Sequence, residues 1–218
     1  MNPEPEPLKC WTDGSTTPSN PGNAGSACIL EVPDQGYRLM AQYLGWATNN
    51  VAELSALQLL LGWLLKNKDA RKPVLIVYTD SQYMQGVCLG TKKASANKEL
   101  VNTIRDLIRC LKLLGTETKI EWVKAHADSE LNNLVDLLAK YATHYKGAHD
   151  KYNGVQAYTK EEFILIKQQL KLVTVSPSSK GLLNATSHPI SGTGSEAVTK
   201  GTVQPLANAD ISEVSSIL

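Results

Sequence analysis

Residues 74–78 read Val-Leu-Ile-Val-Tyr, an unbroken apolar and β-branched run, and Thr79 and Asp80 follow it. Side chains of a strand point alternately to two faces, so a strand that is apolar throughout needs cover on both. That requirement places helices on both sides of a sheet with a central parallel strand, which is an α/β arrangement. Upstream, Leu54, Leu57, Leu61 and Leu64 recur at helical spacing and supply one such helix. Ser55, Gln58 and Gly62 interrupt the same stretch, which falls short of the roughly 20 apolar residues a membrane span needs. No membrane partner is expected. Asp80 then stands at the carboxyl end of the central strand, where open α/β sheets gather their ligands.

The other elements follow from periodicity and turn residues. Residues 8–12, 26–32 and 37–44 read as three strands of an antiparallel meander, with a Pro-, Asn- and Gly-rich loop over 13–25 and a turn at Pro33-Asp34-Gln35-Gly36. A helix begins after Thr48-Asn49-Asn50, with Asn50 as the expected cap and Glu53 three residues on, as in a capping box. Helices are expected over 81–88, 98–113 and 129–145, and a last strand over 119–123. From about residue 147 the composition drifts toward Ser, Thr, Gly and Pro. One catalytic domain over 1–150 is therefore expected, followed by a tail over 151–218 with one helix at 159–172 and a low-complexity, disordered end.

Charge and cysteine usage narrow the classes. A net charge of +1 announces no broad electrostatic attraction to nucleic acid, so any grip on it must be local. The four cysteines lack the close pairing of a zinc site and the density of a disulfide scaffold, and are read as buried free thiols. The first residues show neither the pattern of a secretory signal nor that of a transit peptide, which fits a cytoplasmic or nuclear setting.

Four acids arrive from four elements: Asp13 after the first strand, Glu53 in the first turn of a helix, Asp80 at a strand end and Asp136 in a late helix. Alone, each has a structural explanation. Glu53 and Asp80 fit helix-cap positions and Asp13 a turn position as readily as functional ones. Asp136 is harder to explain so, because Leu134, Val135, Leu137 and Leu138 surround it and an unpaired carboxylate beside an apolar face is costly.

Taken in order, Thr12-Asp13-Gly14-Ser15, Asn49-Asn50-x-x-Glu53, Tyr78-Thr79-Asp80-Ser81-Gln82 and His126 ten residues before Asp136 resemble type 1 ribonuclease H over residues 9–145. The resemblance implies a mixed five-stranded sheet, three antiparallel strands continued by two parallel ones, flanked by helices. It also implies an endonuclease that hydrolyses the RNA strand of RNA/DNA hybrids and leaves 5′-phosphate and 3′-hydroxyl ends. Clustered carboxylates raise one another's pKa unless cations neutralise them, and oxygen donors suit Mg2+ or Mn2+. By the same resemblance two ions, roughly 4 Å apart, assist an in-line displacement. Asp13 would bridge both, Glu53 and Asp80 would hold the first and Asp136 the second, with His126 handling protons or product departure.

Substrate contacts are implied in the same way. Gly14, Ser15, Asn20, Asn49, Asn50 and Gln82 match RNA-strand contacts, whose task is to read 2′-hydroxyls. Thr48 and Asn102 match a pocket for a DNA phosphate. Three departures stand out. The segment between Asp80 and Lys98 is shorter than in members carrying a basic protrusion and contains no tryptophan, leaving Lys92, Lys93 and Lys98 as its basic cluster. Ala125 replaces a usual glycine, and the loop before Asn20 is one residue longer than in common bacterial members. Two alternatives stay open: a catalytically weak hybrid-binding module, and the ribonuclease H domain of a retroelement reverse transcriptase. The chain is read as a monomer, with association with a reverse transcriptase left open.

Overall fold

In the computed structural model, which describes residues 5–124, 129–145 and 154–175, β1 (Leu8–Thr17) is the hub of the sheet. It pairs antiparallel with β2 (Gly22–Val32) and parallel with β4 (Val74–Thr79). β3 (Gly36–Ala47) continues the antiparallel side, and β5 (Glu117–Trp122) continues the parallel side beyond β4. β6 (Gly154–Tyr158) pairs antiparallel with β3, so the order is β5-β4-β1-β2-β3-β6. The mixed α/β fold is as expected, but among the described residues the sheet has six strands where five were expected. The sixth comes from a segment assigned to the tail, and it takes the hydrogen bonds that β3 would otherwise leave open at the sheet edge.

Helix α1 (Asn49–Lys66) lies against one face of the sheet and under α3 (Lys98–Leu113). Its residues Ala52 to Leu57 are all buried, as are Leu60, Leu61 and Leu64. They join Leu8, Cys10, Cys28, Leu30 and Met40 of the strands and Val101, Ile104, Leu107 and Leu111 of α3 in one core. At about 2 kcal/mol for each fully buried leucine, this layer is a major source of stability. The other face is covered by α4 (Glu130–Tyr145), which packs on β1 and β2. α5 (Lys160–Val175) packs on α4, where Lys167 Nζ lies 2.8 Å from Glu130 Oε2, and Phe163 stacks on Tyr37 of β3 with ring centroids 3.9 Å apart.

The local geometry departs from expectation in three places. β1 runs on through Asp13 to Thr17, so Asp13 lies inside a strand and the loop shrinks to residues 18–21. Thr48, not Asn50, caps α1: its Oγ1 accepts from Val51 N at 3.3 Å. Glu53 is thus beyond the first turn, has no capping role and is buried. Ser81 rather than Asp80 caps α2 (Gln82–Leu89), accepting from Met84 N at 3.2 Å. At α5, Thr159 and Glu162 exchange hydrogen bonds as a capping box, 2.8 and 3.2 Å. Cys10, Cys28 and Cys88 are buried free thiols and Cys110 is half-buried. Among the described residues no helix is long and apolar enough to cross a membrane.

Candidate metal centre and nucleic-acid interface

Gly14 sets the geometry of the centre. A Cβ at this position would stand 2.3 Å from Glu53 N and 2.5 Å from the Ala52 carbonyl carbon, so only glycine lets α1 pass directly over β1. That approach brings Glu53 from α1 to Asp13 from β1. Asp80 joins them from the end of β4, the strand paired to β1. One carboxylate oxygen from each of the three lies within 4.8 Å of the others.

These acids are held out of water. Asp13 is 8% exposed and Glu53 4%. Burial, with the nearby charges of Asp80 and Asp136, pushes the Asp13 carboxyl up to about 8, against the pull of a hydrogen bond from Gly14 N to its Oδ1 at 2.8 Å. Burial first, and the charges of Asp13 and Asp80 second, raise Glu53 well above the ordinary carboxylate range. Glu53 Oε2 is buried and has no hydrogen-bond partner among the described residues. A buried acceptor left unsatisfied beside two further carboxylates is a costly arrangement that a hard cation relieves, so the donor set fits a divalent metal ion.

Asp136 stands outside this tight group but is close enough for its charge to act on Asp13. Its Oδ2 pairs with Lys140 Nζ at 2.7 Å, one helical turn on. The sequence reading passed over Lys140, although its i+4 spacing from an acid on a helix was the available signal. It also passed over Trp122, whose Nε1 donates to the Asp80 carbonyl at 3.0 Å and ties the end of β5 to that of β4. No local pattern announces this contact between residues 42 apart. His126 lies outside the described residues.

The expected substrate contacts are spread over β1, the β1–β2 loop, α1, α2 and α3. Gly14 and Ser15 are buried in β1 beside Asp13. Asn20 and Asn49 meet directly, Asn49 N donating to Asn20 Oδ1 at 2.9 Å, which joins the β1–β2 loop to the start of α1. Asn50 is exposed on the first turn of α1, and Gln82 is exposed at the start of α2, two residues past Asp80. Thr48 caps α1 and Asn102 is exposed on the facing α3. Between these helices runs an open groove lined by Val51 and the segment from Ser95 to Leu100.

The RNase H family model matches residues 5–144 of the chain. Ribonuclease HI of Haemophilus influenzae is 33% identical over 168 residues, covering 72% of this chain and 99% of the relative. Ribonuclease H of Anaplasma marginale is 33% identical over 139 residues, 60% of this chain and 86% of the relative. The structure of LC11-RNase H1, a protein isolated from compost, in complex with an RNA/DNA hybrid is similar with a TM-score of 0.51 at 21% identity, over 62% of this chain and 98% of that one. At that identity the likeness to the solved structure is one of fold.

Proposed function

From the premise that this chain belongs to the RNase H family and is a ribonuclease H, we propose that it hydrolyses the RNA strand of RNA/DNA hybrids with the help of divalent metal, leaving 5′-phosphate and 3′-hydroxyl ends. The observation that carries the reading is the group of Asp13, Glu53 and Asp80, whose ligand atoms lie within 4.8 Å and include a buried Glu53 oxygen with no partner among the described residues.

The acids would bind the metal in their ionised form, with Asp13 shared between two ions, Glu53 and Asp80 on the first and Asp136 on the second. Two magnesium ions, when bound, supply the Lewis acidity that eases deprotonation of a water and neutralises charge on the leaving oxygen, and manganese suits the same donors. Asp136 would offer its second oxygen to the metal while Oδ2 keeps Lys140, whose cation suits the phosphate backbone. His126 is assigned, by the family resemblance, to proton traffic or product departure. The amides of Asn20, Asn49, Asn50 and Gln82 have the donors and acceptors to read 2′-hydroxyls, with the backbone of Gly14 and Ser15 beside the reacting phosphate. Thr48, the cap of α1, and Asn102 on α3 are assigned to a DNA phosphate. The hybrid held by LC11-RNase H1 supports this choice of substrate for the shared fold.

The test is cleavage of an end-labelled hybrid in magnesium and in manganese, beside single-stranded RNA, duplex RNA and duplex DNA, for the wild type and Asp80→Asn. Cutting confined to the RNA of the hybrid and lost in the variant is expected. A folded wild-type protein that binds hybrid and cuts nothing in either metal would instead be a binding module.

A further inference from the structure

Beyond Asp80 a second cleft opens between α2, the loop after it and the end of β5, lined by Gln82, Gln85, Gly86, Thr91, Lys92 and Trp122. Its floor is fixed by long-range hydrogen bonds. Gln85 Nε2 donates to the Ile120 carbonyl at 3.1 Å, and Trp122 Nε1 is fastened to the Asp80 carbonyl, which sets the plane of a half-exposed indole. The loop is pinned as well, since Lys92 N and Thr91 Oγ1 both donate to the Gly86 carbonyl, at 2.9 and 3.3 Å.

Gly86 makes the feature more than a surface depression. It sits inside α2, where glycine costs about 1 kcal/mol relative to alanine. A Cβ there would meet Lys92 Cδ at 2.6 Å, Cγ at 2.7 Å and Cβ at 3.1 Å. The missing side chain is thus the bed on which the Lys92 stem lies, and Lys92 Nζ ends 3.5 Å from the Gln82 carbonyl. A lysine held this way has already lost much of the rotamer freedom that a surface lysine gives up on binding an anion.

We propose that this cleft is a subsite for the RNA strand next to the reacting phosphate: Lys92 takes a phosphate, the Trp122 indole packs on the sugar or base of that nucleotide, and Gln82 links it to the carboxylates. The proposal rests on the hybrid-cleaving reading above. The chemistry of the lining suits a nucleotide strand, with one cation, one aromatic face, two amides and no carboxylate among the described residues. At about 210 Å³ the cleft is below the roughly 300 Å³ of a pocket that encloses a small ligand, so it suits one part of a strand passing over it. Among the described residues it shares no lining residue with the groove beside α1 and α3, and its lining includes Gln82, assigned above to the RNA strand and two residues past Asp80.

Hybrid binding would be measured by fluorescence anisotropy over a series of salt concentrations with calcium in place of magnesium, and kcat and KM by cleavage in magnesium. Lys92→Gln is expected to weaken binding about tenfold at low salt, to lower the salt slope by about one, and to raise KM while leaving kcat unchanged. Lys92→Arg should restore most of the binding. Gly86→Ala, which keeps the charge but fills its bed, should lose part of it with no loss of melting temperature. Lys93→Gln, outside the cleft, is the comparator. An equal loss from Lys93→Gln would mean diffuse charge rather than a subsite, and wild-type binding and slope in Lys92→Gln would also overturn the proposal. A wild type that cuts hybrids normally while Lys92→Gln behaves like it removes the subsite alone; a wild type that neither binds nor cuts hybrids removes both readings.

Discussion

Gly14 has no substitute in this fold, because the atoms a side chain would strike are the backbone of α1 at Ala52 and Glu53. Gly14→Ala should therefore cost about 3 kcal/mol or more in urea denaturation and abolish cleavage, since either α1 lifts from β1 or Glu53 moves away from Asp13. Asp13 makes a different prediction. Its carboxyl titrates near 8 in the folded chain without metal, against an ordinary value of 3.8. Between those values the folded state holds a proton that the unfolded state has lost, so stability falls as pH rises from about 4 to about 8. Asp13→Asn should weaken this dependence, part of which the likewise raised Glu53 retains, and should raise metal-free stability at pH 7 by roughly 2 kcal/mol, less than the full linkage value because the two coupled acids share it. Thermal melting in a chelator across that pH range tests it. A wild-type profile that rises with pH would contradict it, and magnesium should stabilise the wild type far more than the variant.

At the level of the element, the start of α1 decides where its acid goes. Asn50 looked like the cap from the sequence, with Glu53 as its capping-box partner. With Thr48 in that role the helix starts two residues sooner, and Glu53 turns into the sheet instead of back toward the helix end. Thr48→Ala should cost about 1 kcal/mol in chemical denaturation, whereas Asn50→Ala, exposed and without a cap bond, should stay within about 0.5 kcal/mol. The reverse order would return the cap to Asn50.

For the whole molecule, the consequential addition is the β6–α5 unit on the edge of β3. β6 satisfies the outer hydrogen bonds of β3, Phe163 covers Tyr37, and Lys167 reaches Glu130 of α4. A chain ended after residue 150 should be less stable than one ended after residue 177, and its bare β3 edge should favour self-association. Phe163→Ala in the full chain should cost about 3 kcal/mol, near the low end for a buried phenylalanine. Urea denaturation and sedimentation velocity on the two truncations are the measurements. Equal stability would make β6 and α5 an ornament of the sheet.

The α/β class, the central strand at residues 74–78 and the bounds of α3 were legible in the sequence because they depend on side-chain periodicity and turn chemistry within a few residues of each other. The acids Asp13, Glu53 and Asp80 could be picked out by their ordered motifs, but their meeting within 4.8 Å depends on Gly14 lying under α1, a contact between residues almost forty positions apart. β6 escaped notice because Gly-Val-Gln-Ala-Tyr carries little apolar alternation of its own, and it is a strand only because β3 offers an open edge. The Asp136–Lys140 pair, the Trp122 tie to Asp80 and the bed that Gly86 makes for Lys92 are likewise decisions of the tertiary structure. Local sequence sets what each segment prefers to be; which backbones touch, and so which charges face one another out of water, is set only when the segments pack.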